Sequence, residues 1–442
     1  MPMTVFHQAG HAREGERCST AAAYLEPALN DRQAHPDLTL ATNMVARRVL
    51  WAHDDCDGDG SDGDGGSMSG EGGGAVGGGG GGGVGGGSGA LGPRPRATGV
   101  ECATADGSVV RFYAKREVIV AAGAIASPQL LQQSGIGPPP VLAKLGIPLV
   151  APRVGVGANL QDHLEVYHQF EVHREASLAP HIALWRKALI GVRWLLTRDG
   201  LGATNHFEAG AFVRSAAGVE WPDVQIHFLP AAISYDGVSL APSSTGASLQ
   251  MHVGFNRSPS RGTITASARL APAGAPPPPL VRFNYMSSEA DWVGFRAALR
   301  IAREVVHQPI FDGVIGAEIS PGAHLQTDAE LDRFLVEHLE SAYHPCGTCK
   351  MGSPDDPTAV VDGAGRVFGV DSLRVVDASI FPLIPNGNLN APTIMVAEKM
   401  ADHIAGRRAL PPDEHAACAT WVDPEWRARQ RERPPLRATL QL

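Results

Sequence analysis

Cysteine is scarce in this chain, with six residues in 442, at positions 18, 56, 102, 346, 349 and 418. So few and so scattered, they exclude a disulfide-built scaffold and favour a reducing, intracellular compartment. Positive charge is also short. Lys and Arg number 37 against 46 Asp and Glu, a formal charge of −9 that leaves nucleic-acid binding without an electrostatic basis. No apolar run reaches the roughly 18 residues a membrane-spanning helix needs. The opening Met1-Pro-Met-Thr-Val-Phe-His-Gln has neither the apolar core and cleavage site of a secretory signal nor the character of an organelle transit peptide. What remains, 43% apolar and 19% charged residues over a length with room for two domains, suits a globular enzyme.

Composition divides the chain sharply. Residues 19–25, Ser-Thr-Ala-Ala-Ala-Tyr-Leu, predict a short helix capped by Ser19 or Thr20. A strand is expected over 43–51. From Asp54 to about Arg96 the chain is rich in Asp and Gly and then almost pure glycine, too poor in apolar surface to offset its ordering entropy, so disorder is expected. A strand resumes at Ala97, and Asp106-Gly107 turns it into 108–114. The glycine tract thus reads as an insertion at a hairpin tip, between strands that pair without it. Two patterns in or beside it are accidents of composition. Gly58-Asp-Gly60-Ser-Asp-Gly63 spells GxGxxG with no apolar helix behind it. Asp55, Asp57, Asp59 and Gly60 imitate a calcium loop whose twelfth position, Gly66, lacks the required glutamate.

The apolar run 117–122, Gly123, and a helix opened by Ser127-Pro128 predict an α/β unit. Strand-like segments at 208–215, 224–230, 250–255 and 262–267, with a helix over 289–306 and a loop at 276–279, predict an antiparallel sheet with helices on one face. A short strand at 373–377 and a helix at 393–405 follow. The expected class is α/β (α+β): a Rossmann-like part plus an antiparallel-sheet domain.

Two segments carry chemistry. In Ser341-Ala-Tyr-His344-Pro345, a histidine before proline cannot continue a helix and is held in a turn. Histidine can take a proton near neutral pH, as alcohol oxidation requires at the hydroxyl, although an ordinary loop histidine is the plainer reading among 17. In Asn386-Gly-Asn388-Leu-Asn390-Ala-Pro392-Thr393, amide side chains that could hold a substrate oxygen or a flavin carbonyl precede a helix start that favours negative charge; for Asn388 a turn followed by a helix cap is the other reading. Cys346-Gly-Thr-Cys349 has metal-ligand spacing with no second pair, and reads as two ordinary thiols with no metal.

Four ordered motifs resemble the glucose–methanol–choline (GMC) oxidoreductase family. They are Gly123-Ala-Ile-Ala-Ser127-Pro128 running to Gly135-Ile-Gly137, Gly155-Val-Gly157-Ala-Asn159-Leu-Gln161-Asp162-His163, the His344 segment and the Asn390 segment. The resemblance covers about Arg17 to Pro411, apart from the glycine tract. Arg17–Leu25, 202–210, His227-Phe-Leu-Pro230 and 387–393 resemble the choline dehydrogenases of that family. The resemblance implies an FAD-binding part at 1–53 and 97–164, an insertion at 54–96, a substrate domain at 165–340, a carboxy-terminal FAD-binding part with the active site at 341–411, and a tail at 412–442. It implies His344 as proton acceptor and Asn390 as its partner. It places Val45 near the adenine, Gly123, Ala124, Ser127, Asp377 and Ala378 along the FAD, and Pro392 and Thr393 at the flavin ring. A quaternary ammonium head needs a carboxylate or aromatic faces, for which Glu208, Trp185, Trp194 and Tyr235 are candidates.

The implied reaction is oxidation of a primary alcohol, choline above all, with hydride passing to the flavin and electrons to a respiratory-chain acceptor such as a quinone. An inner mitochondrial membrane location goes with that reading. The family's opening strand, GxGxxG turn and helix have no counterpart before Arg17, so the FAD-binding domain is expected to be incomplete. Two alternatives stay open: an inactive remnant unable to hold FAD alone, and the same chemistry on another alcohol.

Overall fold

The structure, a computed structural model, describes residues 16, 18–52, 94–181, 184–207, 209–234, 243–408 and 410–411. The glycine tract, both accidental motifs, Glu208, Tyr235 and the tail from 412 lie outside the described residues.

Strands β1 (Met44–Trp51), β2 (Ala97–Thr104) and β3 (Val109–Tyr113) form an antiparallel meander, with Trp51 opposite Ala97 across the inserted tract. Gly107, at φ +86°, makes the β2–β3 turn that Asp106-Gly107 predicts. A second unit joins β4 (Val118–Val120) to helix α1 (Gly123–Gln133). Ser134, just past α1, ties this unit to β1: its Oγ accepts from the Val49 amide at 2.8 Å and its carbonyl from Trp51 Nε1 at 3.0 Å. Val49, Trp51, Leu131, Ile136 and Val360 fill the core between them.

The second core lies on an antiparallel sheet of β5 (Leu164–Val172), β6 (Ala209–Val213), β7 (Val224–Leu229), β8 (Ser248–Phe255) and β9 (Ile315–Ser320), in the order β9-β5-β8-β7-β6. The two-residue strand β10 (Glu340–Ser341) pairs with the start of β5. Helix α2 is Leu184–Thr197. Helices α3 (Glu289–Val306) and α4 (Asp328–His338) cover one face of the sheet. In α3 the buried residues Phe295, Leu299, Ala302 and Val306 recur at helical spacing. Arg303 reaches from α3 to Glu318 on β9 at 2.9 Å, and His168 on β5 completes this buried cluster at 3.2 Å from the same carboxylate.

Three expectations move. Helix α1, expected to open at Ser127-Pro128, starts at Gly123 and carries Pro128 inside it. Proline cannot donate to the Ala124 carbonyl four residues back, and the Thr348 hydroxyl donates there instead, at 2.5 Å. The segment at 262–267 belongs to a separate ribbon, Thr263–Thr265 against Leu280–Arg282. It leaves the sheet because the loop before β5 claims it: Leu160 pairs with Gly262, and the Ile264 amide donates to the Gly157 carbonyl. Strands β5 and β9 and helices α2 and α4 were not expected individually. The last strand, β11 (Leu373–Val375), runs parallel to β4, and the last helix, α5 (Asn390–Ala405), starts three residues before its expected position.

Candidate functional site

The parallel pairing of β4 and β11 brings the turns at their carboxyl ends together. Asp377 Oδ2 accepts from the Gly123 amide at 2.9 Å and the Ser127 hydroxyl at 2.5 Å, and its Oδ1 accepts from the Ser379 amide at 2.7 Å. Gly123 adopts φ +82°, which glycine alone takes without strain, and a Cβ there would meet open space. The Ala378 carbonyl accepts from the Gly347 amide, which links this turn to the His344 segment.

His344 follows β10, between Tyr343 at φ +61° and Pro345. Its backbone amide donates to Asp162 Oδ1 at 2.9 Å, while Asp162 Oδ2 accepts from Ser341 Oγ at 2.6 Å and the Tyr285 hydroxyl at 2.7 Å. One carboxylate thereby fixes the turn that presents the histidine. The His344 ring is buried, with Nδ1 3.1 Å from His163 Nδ1 and Nε2 3.5 Å from the Asn388 amide nitrogen. Burial pushes His344 down to about 4, because a charged imidazolium would lose its hydration. Burial, then the neighbouring His344, lower His163 to about 3. Asn388 is oriented in turn: its Oδ1 accepts from Gln225 Nε2 at 3.0 Å, so its N–H groups face His344.

Next to His344 a cleft is lined by Glu165, His227, His252 and Asn256. Along β5, Leu164, Val166, His168, Phe170 and Val172 face the core, so the alternate residue Glu165 faces the cleft. Its Oε1 accepts from His252 Nδ1 at 2.7 Å. Phe207 sets its ring edge-on to both His227 and His252, with centroids 5.9 and 5.2 Å away.

The expected site residues fall into groups. Val45 lines an apolar cavity of about 240 Å³ with Ala122, Ala126, Gln129 and Leu130, beside the Gly123 turn. Ala124, Ser127, Asp377 and Ala378 meet at that turn. Pro392 and Thr393 lie in the first turn of α5, whose N-cap residue, Leu389, gives no side-chain acceptor to its amides. Asn390 is exposed at the same helix start, and the amide beside His344 is that of Asn388. Trp185 is exposed on α2, and Trp194 lies under the Arg198 guanidinium; neither lines the cleft. Cys346 and Cys349 are buried free thiols, and burial pushes Cys346 up to about 12. Sequence reasoning did not single out Glu165, named Asp162 and His163 only within a family motif, and left Asn388 open between an amide ligand and a turn. The Gln161-Asp162-His163-Leu164-Glu165 run followed by period-two alternation was the available signal.

These features fit part of an FAD site. The Gly123 turn leaves space on its open side, the Val45 cavity is apolar, and the start of α5 keeps amides for an electron-rich group. The cavity is smaller than the roughly 300–1,000 Å³ of a complete ligand pocket.

Profiles of the amino- and carboxy-terminal parts of the GMC oxidoreductase family match residues 3–165 and 258–397. A protein of Brucella canis named oxygen-dependent choline dehydrogenase is 55% identical over 336 residues, 76% of this chain and 59% of that protein. One of the same name from Vibrio vulnificus is 49% identical over 77% of this chain and 59% of its own length. This chain therefore spans about three-fifths of the curated relatives it matches. Among solved structures, pyridoxine 4-oxidase from Mesorbium loti superposes with a TM-score of 0.65 at 24% identity, covering 90% of this chain and 64% of the other. A formate oxidase of Aspergillus oryzae, studied for its FAD modification, gives 0.70 at 22% identity, covering 89% and 63%. Mixed layers of helix and antiparallel sheet, the clamped glycine turn and both profile matches lead to one assignment: the chain belongs to the GMC oxidoreductase family, whose cofactor is FAD.

Proposed function

We propose that this chain is the larger part of an FAD-dependent alcohol dehydrogenase that oxidises choline to betaine aldehyde. The observation that carries this reading is the buried His344, its Nε2 facing a fixed Asn388 amide, beside a cleft that holds the Glu165 carboxylate. FAD, when bound, supplies the acceptor for the hydride that leaves the alcohol carbon. His344 Nε2 takes the hydroxyl proton, and the Asn388 N–H steadies the oxygen left behind. Glu165, with the Phe207 ring nearby, suits a quaternary ammonium head, which cannot donate a hydrogen bond and needs charge or an aromatic face. Asp377 and Ser127 hold the Gly123 turn on which the cofactor rests. In this reading residues 165–340 form the substrate domain, and residues 1–53, 97–164 and 341–411 form the FAD-binding part.

A second oxidation of the aldehyde gives glycine betaine. The names of the relatives favour choline as substrate and dioxygen as electron acceptor, with a respiratory quinone the other acceptor to test. Among the described residues no helix is long and apolar enough to cross a membrane. The compared choline dehydrogenases are bacterial, so the mitochondrial location draws no support from them.

The test is to incubate the purified chain with FAD, desalt it, and mix it anaerobically with choline. Retained flavin bands that choline bleaches, and that choline leaves intact in His344→Ala, support the proposal. Equal bleaching in His344→Ala removes that residue from the role. Bleaching by a different alcohol alone changes the substrate, and a flavin-free protein assigns the activity to a longer product.

A further inference from the structure

We infer that His163 is a positioning residue that sets the tautomer of His344 and so leaves its Nε2 free to take a proton. This rests on His344 being the proton acceptor. The far side of the His163 ring faces away from His344. The His163 Nε2 is buried with no hydrogen-bond partner of normal geometry, and the backbones of Pro385 and Asn256 act on this ring as acceptors that favour its protonated form. Proline has no amide hydrogen, so what Pro385 offers is a carbonyl oxygen, which only accepts. The His163 proton therefore sits on Nε2, and its Nδ1 presents a bare lone pair.

That lone pair lies 3.1 Å from His344 Nδ1, with the rings nearly perpendicular at 87°. Two bare nitrogens at this distance repel, so His344 carries its proton on Nδ1 and donates it to His163. A neutral imidazole has a single N–H, and His344 Nε2 is then an acceptor. The other side of the ring agrees. Asn388 is held by Gln225 with its N–H groups turned toward Nε2, which suits a bare nitrogen and not a protonated one. His163 and Asn388 thus select the same tautomer from opposite edges of the ring. When Nε2 takes the hydroxyl proton, the Nδ1–H···Nδ1 contact remains and holds the ring plane.

The test uses the flavin-loaded protein and the protein labelled with ¹⁵N-histidine, with His344 assigned by comparison with His344→Gln. The inference expects the His344 signals to show a protonated Nδ1 and a bare Nε2. A protonated Nε2 overturns it whatever the variants do. Against His163→Leu, which removes the acceptor, flavin reduction by choline should slow about 10- to 100-fold, part of the 10²–10⁴ that a placed general base contributes. His163→Asn offers an amide oxygen to the same proton and should restore most of the rate. A parental rate in His163→Leu, with His344→Ala inactive, overturns the positioning role. A parental rate in His344→Ala overturns the underlying reading instead, and the nitrogen signals still decide the tautomer.

Discussion

Replacing Thr348 with Val tests how α1 tolerates the proline within it. Pro128 leaves the Ala124 carbonyl without its helical donor, and the Thr348 hydroxyl fills the gap at 2.5 Å. Both residues are buried, Thr348 completely. Valine keeps the shape and removes the donor, so the carbonyl is left bare in a dry environment, a loss of about 1–3 kcal/mol. Urea unfolding followed by circular dichroism reads this as a lower midpoint at unchanged slope. Pro128→Ala supplies an amide at the position that lacks one. In that background Thr348→Val should cost under about 1 kcal/mol, because the carbonyl keeps a partner. Equal costs in the two backgrounds, or no cost in the parent, would refute the account.

The remaining predictions concern the cleft and its frame. His344 is held down at about 4 by burial, so it stays a competent base through neutral pH, and flavin reduction should fall only as pH drops through about 4. For stability the sign follows from the same shift. The unfolded chain takes protons on these histidines below about 6.5 while the folded one refuses them, so acid unfolding should steepen between that pH and about 4. Glu165→Gln should raise the KM for choline and leave that for an uncharged alcohol nearly unchanged; equal effects on both would remove the carboxylate from head-group binding. Gly157→Ala should prevent folding, since Gly157 sits at φ +82° and a Cβ there would strike the Ile264 carbonyl. Soluble expression with a parental unfolding midpoint would contradict this.

Local physics made much of the scaffold readable from the chain. The β1–β2 hairpin, the Asp106-Gly107 turn, β4 with its glycine turn, and α3 follow from alternation, turn chemistry and helical spacing, which act over a few residues. The ordered motifs carried the family and singled out His344 as a candidate. Chain order could not show which groups converge. Glu165 was passed over because β5 was not read as a strand, so the alternate residue facing the cleft went unnoticed. Asn388 and Asn390 are two residues apart in one motif, and only packing against Gln225 turns the first toward His344 while leaving the second exposed at a helix start. The helix boundary at Gly123 depends on Thr348, 220 positions beyond Pro128, supplying what proline lacks. The sequence by itself thus determined many of the elements and pointed to a kind of chemistry, because propensity and pattern are local. The tertiary structure alone decided the partners of each candidate site residue, because hydrogen bonds, burial and the resulting pKa shifts arise between segments far apart in the chain.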